Sequence, residues 1–159
     1  MKAAGLTDLI RLNTTLFRNA IAEIDERDGA TRLNDRTNSI AFIGGHLVET
    51  RAWMVRYLGA EAPPPFGGTL EHATGIDQIP ALPTVAAIRS EWDQVSAKVV
   101  GRLGALTDEQ LAAATTQRFP GVEPTMLGGI AFLAHHESYH IGQLAFLRKY
   151  FGLPPMSYR

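Results

Sequence analysis

Apolar residues return every three or four positions along four stretches of the chain, the period of helices that lay one face against a core. Leu6, Ile10, Phe17, Ala20 and Ile24 predict a first helix over about 7–28, capped by Thr7, helped by Asp8 in its first turn and ended by Gly29. A second is predicted from Asn38 or Ser39 to Leu58, stopped by Gly59. Its apolar positions (Ile40, Phe42, Ile43, Leu47, Trp53, Met54, Tyr57) nearly encircle the helix, as expected of a segment buried among others. A third starts at Thr84 and carries Val85, Ile88, Trp92, Val95, Val99 and Leu103 on its stripe. A short helical piece over 107–114 opens on Thr107 with Gln110 three positions later, a capping-box spacing. After an irregular or short extended link over 115–124, the last helix runs from Thr125 to about Phe151, where Gly152 and then Pro154-Pro155 terminate it.

Between the second and third helices the pattern breaks. Pro63-Pro64-Pro65, Gly67-Gly68, Pro80 and Pro83 forbid a continuous helix over 60–83. Connections this long are uncommon in compact domains and are often functional, here as a crossover or as a lid. No strand pattern, internal repeat or low-complexity tract is visible. The expected fold is all-α: a four-helix bundle with a long Pro/Gly-rich crossover between helices two and three, in a single domain over 1–159.

A formal net charge of −1 offers no broad electrostatic footprint for nucleic acid or anionic lipid, so neither is expected as a partner. No stretch approaches the ~18 apolar residues of a membrane span, and Met1 to Leu12 lacks the apolar core of a signal peptide. A cytoplasmic protein is expected. The chain has no cysteine, which excludes disulfides, thiolate ligands and thiol nucleophiles; any metal ion has to be held by His and carboxylate.

Within the last helix stands His136-Glu137-Ser138-Tyr139-His140. Residues four apart share one helix face, about 5–6 Å apart at Cβ, so His136 and His140 can grip one ion. Two buried imidazoles need partners or a metal. His46, inside Ile43-Gly44-Gly45-His46-Leu47, is the candidate third ligand, although a lone inward histidine is often a satisfied core residue. Three neutral nitrogens with open positions suit Zn²⁺, Ni²⁺ or Fe²⁺. His135 is offset by about 100° from His136 and is expected at the periphery. His72 falls in the crossover, solvated or reaching the site from a lid.

Other polar groups are placed near this trio. Glu49, one turn after His46, is read as an extra ligand or acid–base group, or as a solvated partner of Arg56 or Arg51. Gln143 follows His140 by three positions and either orients a ligand or bridges helices. Asn13 occupies an apolar-stripe position of helix one, as a pocket residue or an internally bonded core amide. Trp53 walls a pocket or joins Trp92 in the core.

Literally, the motif is H-E-x-x-H, which in metalloproteases supplies two zinc ligands and a general base, here Glu137. Thermolysin and metzincin types take a third ligand downstream, yet Ile141 to Arg159 contains no Asp, Glu or His, and no strand is evident to hold a peptide. A zinc hydrolase is therefore the remote alternative. The run from Asn38 to Leu47, followed by Glu49 and Arg51-Ala52-Trp53, resembles helix two of the DinB/YfiT-like superfamily of bacterial metal-binding bundles. His136-Glu137-Ser138-Tyr139-His140-Ile141-Gly142-Gln143-Leu144, with Arg148 and Gly152-Leu153-Pro154, resembles that family's closing H-x-x-x-H-x-G-Q signature, departing at Ile141 where many relatives carry Arg. The resemblance implies a metal held by His46, His136 and His140, a homodimer, and chemistry akin to thiol transferases and isomerases that use a divalent ion and a low-molecular-weight thiol. The leading expectation is a metal-dependent thiol S-transferase or related enzyme on a small electrophile; the alternative is a non-enzymatic metal-binding or metal-sensing bundle.

Overall fold

The computed structural model describes residues 4–159, so the first residues of the Met1–Leu12 segment lie outside the described part. The fold is all-helical: α1 (Ala4–Ile21), α2 (Glu26–Ala30), α3 (Ile40–Tyr57), α4 (Val85–Ala105), α5 (Asp108–Ala112) and α6 (Met126–Tyr150), with a 3₁₀ turn at Ile76–Gln78. No strand forms among the described residues; a single bridge pairs Ala114 with Thr125. The four long helices, α1, α3, α4 and α6, make a ring of neighbours in which α1 packs on α4 and α6 and α3 packs on the same two.

Helix starts follow the caps visible in the sequence. Ser39, Thr84, Thr107 and Thr125 each accept a hydrogen bond from the main-chain N–H three residues on, and Gln110 completes the capping box on Thr107. Gly59 and Gly152 take the left-handed conformation just beyond α3 and α6, as helix-ending glycines do.

The first helix departs from expectation at both ends. It begins at Ala4, which puts Thr7 inside it rather than at its cap, and it ends at Ile21 rather than near Asp28. The carbonyls at the break are met from afar. Arg89 of α4 donates to the carbonyls of Ile21 (2.6 Å) and Ile24 (2.8 Å), and Arg148 of α6 donates to that of Ala22, so the last carbonyl of α1 and two just beyond it find partners. Glu23 turns the chain in the left-handed region, and Asp25 caps α2 by accepting from Asp28 N at 2.7 Å. Gly29 does not end a helix: it lies buried within α2, where a Cβ would stand 2.3 Å from Val85 Cγ2. Its lack of a side chain lets α2 rest on the start of α4.

Two apolar clusters fill the interior, one around Phe17, Leu47, Trp92 and Leu144, the other around Ile10, Met54, Val99 and Ile130. A polar network links all four long helices. Arg51 of α3 and Glu137 of α6 form a fully buried bidentate pair, Nε to Oε1 at 2.6 Å and Nη2 to Oε2 at 2.5 Å. Arg51 also donates to Thr14 Oγ1 of α1 and Ser96 Oγ of α4 and lies 3.7 Å over the Trp92 ring. With four of the five guanidinium N–H groups hydrogen-bonded and both carboxylate oxygens engaged, the ion pair comes close to the condition under which a buried charge is tolerated.

The connection between α3 and α4 is held down rather than loose. Glu49, fully buried, accepts four main-chain N–H bonds from it: Oε1 from Phe66 (2.9 Å) and Gly68 (2.7 Å), Oε2 from Leu70 (2.8 Å) and Glu71 (2.9 Å). Gly45 makes room beside it, since a Cβ there would meet Leu70 Cδ1 at 2.8 Å and Pro83 Cγ at 2.9 Å. The connection therefore lies directly against α3, next to His46.

Candidate metal centre

His46 from α3 and His136 and His140 from α6 bring their Nε2 atoms together. His136 Nε2 lies 3.2 Å from that of His46 and 3.1 Å from that of His140, and one ligand atom from each of the three falls within 4.8 Å of the others. Nitrogens bound to a tetrahedral ion at about 2.0–2.1 Å stand roughly 3.3 Å apart, close to the two short separations.

Two of the rings are fixed by partners on their far side. His46 Nδ1 stands 2.6 Å from the carbonyl of Leu70; a carbonyl only accepts, so Nδ1 carries the proton and the Nε2 lone pair faces the centre. His140 Nδ1 donates to Gln143 Oε1 at 2.7 Å, while Gln143 Nε2 donates to the hydroxyl of Tyr139 at 3.2 Å. This is the outer-shell arrangement typical of metal-bound histidine. His136 Nδ1 is buried with no partner. If that nitrogen holds the proton, three Nε2 lone pairs converge; if Nε2 holds it, only one of two neighbouring lone pairs can accept it. Shared protons leave the trio unsatisfied, whereas a divalent cation matches all three donors.

Burial keeps the rings neutral. Desolvation lowers the pKa of all three; for His136, where the neighbouring His140, His46 and His135 oppose a further positive charge, it falls to about 3. At neutral pH no proton competes strongly for the nitrogens.

Residues 9–144 match the family model of the DinB superfamily. The chain belongs to the DinB superfamily. No curated protein matches it.

Other candidates in this DinB member are distributed differently. Trp53 and His72 line a cleft of about 260 Å³ that also reaches His46 and His136. A second cleft of about 310 Å³ opens on all three histidines from the side of Asn38, Phe42 and Thr74, with Glu71 and His72 bordering both. The connection between α3 and α4 thus contributes the shared rim of the two clefts. Gln143 touches His140, as described, and His135 is exposed on the outer face of α6. Glu49 pairs with neither Arg51 nor Arg56, which bind Glu137 and Glu71 respectively; its carboxylate is taken up by amides of the connection between α3 and α4.

Asn13 is buried in the polar network, where Nδ2 donates to the Ala134 carbonyl (3.0 Å) and Glu137 Oε2 (3.3 Å) and Oδ1 accepts from Ser138 (3.1 Å). Glu137 points into that network, not toward the trio, and with both oxygens engaged by Arg51 it is not poised as the general base of a zinc hydrolase. Sequence reasoning missed the Leu70 carbonyl as a partner for His46, because main-chain atoms of a Pro/Gly-rich segment leave no residue-type signal.

Proposed function

We propose that this DinB member is a metal-dependent thiol S-transferase, or a closely related enzyme, acting on a small electrophile in the cytoplasm. In this reading 1–159 is one domain, the four long helices are a four-helix bundle, and the connection between α3 and α4 is its crossover. One observation carries it: three neutral Nε2 atoms face one point onto which two separate clefts open.

His46, His136 and His140 would hold one divalent ion of the Zn, Ni or Fe type, which when bound lowers the pKa of a coordinated thiol or water and so supplies a nucleophile near neutrality. The chain has no cysteine, so the sulfur arrives with a low-molecular-weight thiol cosubstrate. That sulfur's electron pair forms the new C–S bond, the thiol proton passes to solvent, and the leaving group departs with the pair of the bond it breaks. Leu70 and Gln143 keep the two Nε2 lone pairs aimed. To Glu49 we assign the holding of the crossover that presents Leu70, rather than proton transfer. Trp53 belongs to the wall that receives the electrophile.

A second reading is a metal-holding bundle without catalysis, favoured by the fact that all three ligands come from only α3 and α6, which one ion would tie together. Metal analysis of the isolated protein followed by conjugation assays with small thiols separates the two. The enzyme reading expects about one ion per chain and conjugation that disappears in a His136→Ala/His140→Ala variant; unchanged conjugation in that variant refutes it, and bound metal with no conjugation favours the second. The proposal includes a homodimer, supported by Tyr139, Phe146 and Tyr150, which stand exposed at positions i, i+7 and i+11 of α6.

A further inference from the structure

The cleft that holds Trp53 has a composition of its own. Trp53, Phe119, Phe132 and Leu133 supply its apolar side and His46 and His136 complete it toward the trio. The three aromatic rings form a continuous surface, Trp53 meeting Phe119 edge-on at 5.9 Å and Phe119 stacking on Phe132 at 4.9 Å. Each is only half-buried, although they come from α3, α6 and the link before α6 and converge on one another. Clustered aromatic surface left open beside a polar centre is the usual signature of a ligand wall.

Charge narrows the ligand. Among the described residues no lysine or arginine lines this cleft, and the one acidic residue among them that does, Glu71, is ion-paired with Arg56. A carboxylate, sulfonate or phosphate on the ligand body would find no cationic side chain there. Size narrows it again: a cavity of about 150 Å³ accepts benzene, so about 260 Å³ accommodates one ring with substituents or two fused rings. The second cleft leaves another approach to the trio when this one is filled.

We infer that the Trp53–Phe119–Phe132 cleft is the subsite for an uncharged, flat, aromatic ligand. This rests on the trio being the reaction centre, and it assigns the electrophile's class to that cleft. Offset-stacked and edge-to-face contacts with the three rings give such a ligand its orientation.

The chain offers its own probe. It has two tryptophans; Trp92 is fully buried, whereas Trp53 borders the cleft. Nitrobenzene, an uncharged aromatic quencher, is titrated into the protein as isolated, with benzenesulfonate followed by calorimetry. The expected result is saturable quenching, lost in Trp53→Phe, weakened at least fivefold in Phe119→Ala or Phe132→Ser, with benzenesulfonate binding at least tenfold more weakly. Thermal melts confirm that each variant is folded, and the two aromatic substitutions serve as alternatives should either fail to fold. Quenching that rises linearly without saturation, or equal binding of the anion, overturns the inference. His140→Ala, which removes a ligand of the trio but does not line this cleft, separates the two claims: if metal-dependent conjugation is never found but saturable quenching persists there, the functional reading fails and the aromatic subsite stands; quenching lost there overturns the subsite as well.

Discussion

His46 and Leu70 are joined by a 2.6 Å hydrogen bond from the imidazole Nδ1–H to the main-chain carbonyl, and the N–H of the same Leu70 donates to Glu49 one helical turn beyond His46. The connection between α3 and α4 is thus pinned to α3 at both faces of one residue, and the pin sets which nitrogen of His46 faces the other two histidines.

Glu49→Gln is therefore expected to do two things at once. A carboxamide has one acceptor oxygen and presents an NH₂ where two amides now donate, so the connection between α3 and α4 loses about half of its anchors. Hydrogen bonds to a charged group contribute about 1.5–3 kcal/mol each, and a loss of roughly 3–6 kcal/mol in urea unfolding is expected. Metal affinity should fall by about 10–100-fold, because Leu70 no longer orients His46. A variant that keeps full stability and metal affinity while losing only activity would return Glu49 to a proton-transfer role.

The Arg51–Glu137 pair allows a second, contrasting test. Removing one partner leaves the other buried and unpaired, which costs about 3–5 kcal/mol. Glu137→Gln and Arg51→Met are both expected to unfold at much lower denaturant, while metal content in the folded fraction stays near that of the parent. Were Glu137 the base of a hydrolase, the opposite pattern would appear: near-normal stability and abolished turnover.

Much of this was legible from residue order. The cap at Thr107, the starts at Thr84 and Thr125, the start at Asn38 or Ser39 (resolved to a Ser39 cap) and the stops at Gly59 and Gly152 are local signals that the structure uses, whereas the Thr7 cap is not one, since Thr7 lies inside α1. The His136/His140 face is likewise a local consequence of helical spacing. What escaped are features decided by residues far apart in the chain. The Asp25 cap of α2 is a local signal at the break, but the carbonyls there are taken by Arg89 and Arg148, each more than 60 positions away. Gly29 carries the same letter whether it ends a helix or admits Val85, and only packing distinguishes the two. Asn13 and Glu137 were each visible as polar residues in apolar surroundings, but the sequence does not say that they meet each other and Arg51 rather than the trio.

The depressed pKa of His136 sets a pH dependence. Its ring is held down mainly by burial, to about 3 in the folded chain against an ordinary 6.5. Below 6.5 the unfolded chain binds this proton and the folded chain does not, so the stabilising contribution is complete above 6.5 and is lost as the pH falls from 6.5 toward 3. Chelator-treated protein should therefore show a Tm that declines over this window, and His136→Leu should decline less steeply. Equal slopes for the two proteins would mean that His136 is solvated rather than buried.

The exposed aromatic stripe of α6 makes the oligomeric state testable. Placing charge in its middle with Phe146→Lys is expected to convert a dimer to monomer in light scattering without lowering the helical content, because Phe146 is largely exposed in the single chain. A monomeric parent would refute the proposed homodimer, and a dimer unaltered by the substitution would rule out this stripe as its contact.

Gln143 offers the cleanest separation of metal binding from folding. It sits half-buried on α6, and its recorded side-chain partners are His140 Nδ1 and the hydroxyl of the exposed Tyr139. Truncation to alanine removes no core packing of consequence and favours helix, so Tm of the metal-free protein should shift by no more than about a degree or two, as expected for a surface change within about 0.5 kcal/mol. With its acceptor gone, His140 is free to exchange its proton between nitrogens and to rotate, and part of its population no longer presents an Nε2 lone pair. A fall of about 10–100-fold in metal affinity is expected by competition with a chelating dye. Because bound ligand stabilises by RT ln(1 + L/Kd), where L is the free ligand concentration, the Tm increment on adding metal should shrink in step. Unchanged affinity would show that packing alone orients His140 and that the Gln143 contact is incidental.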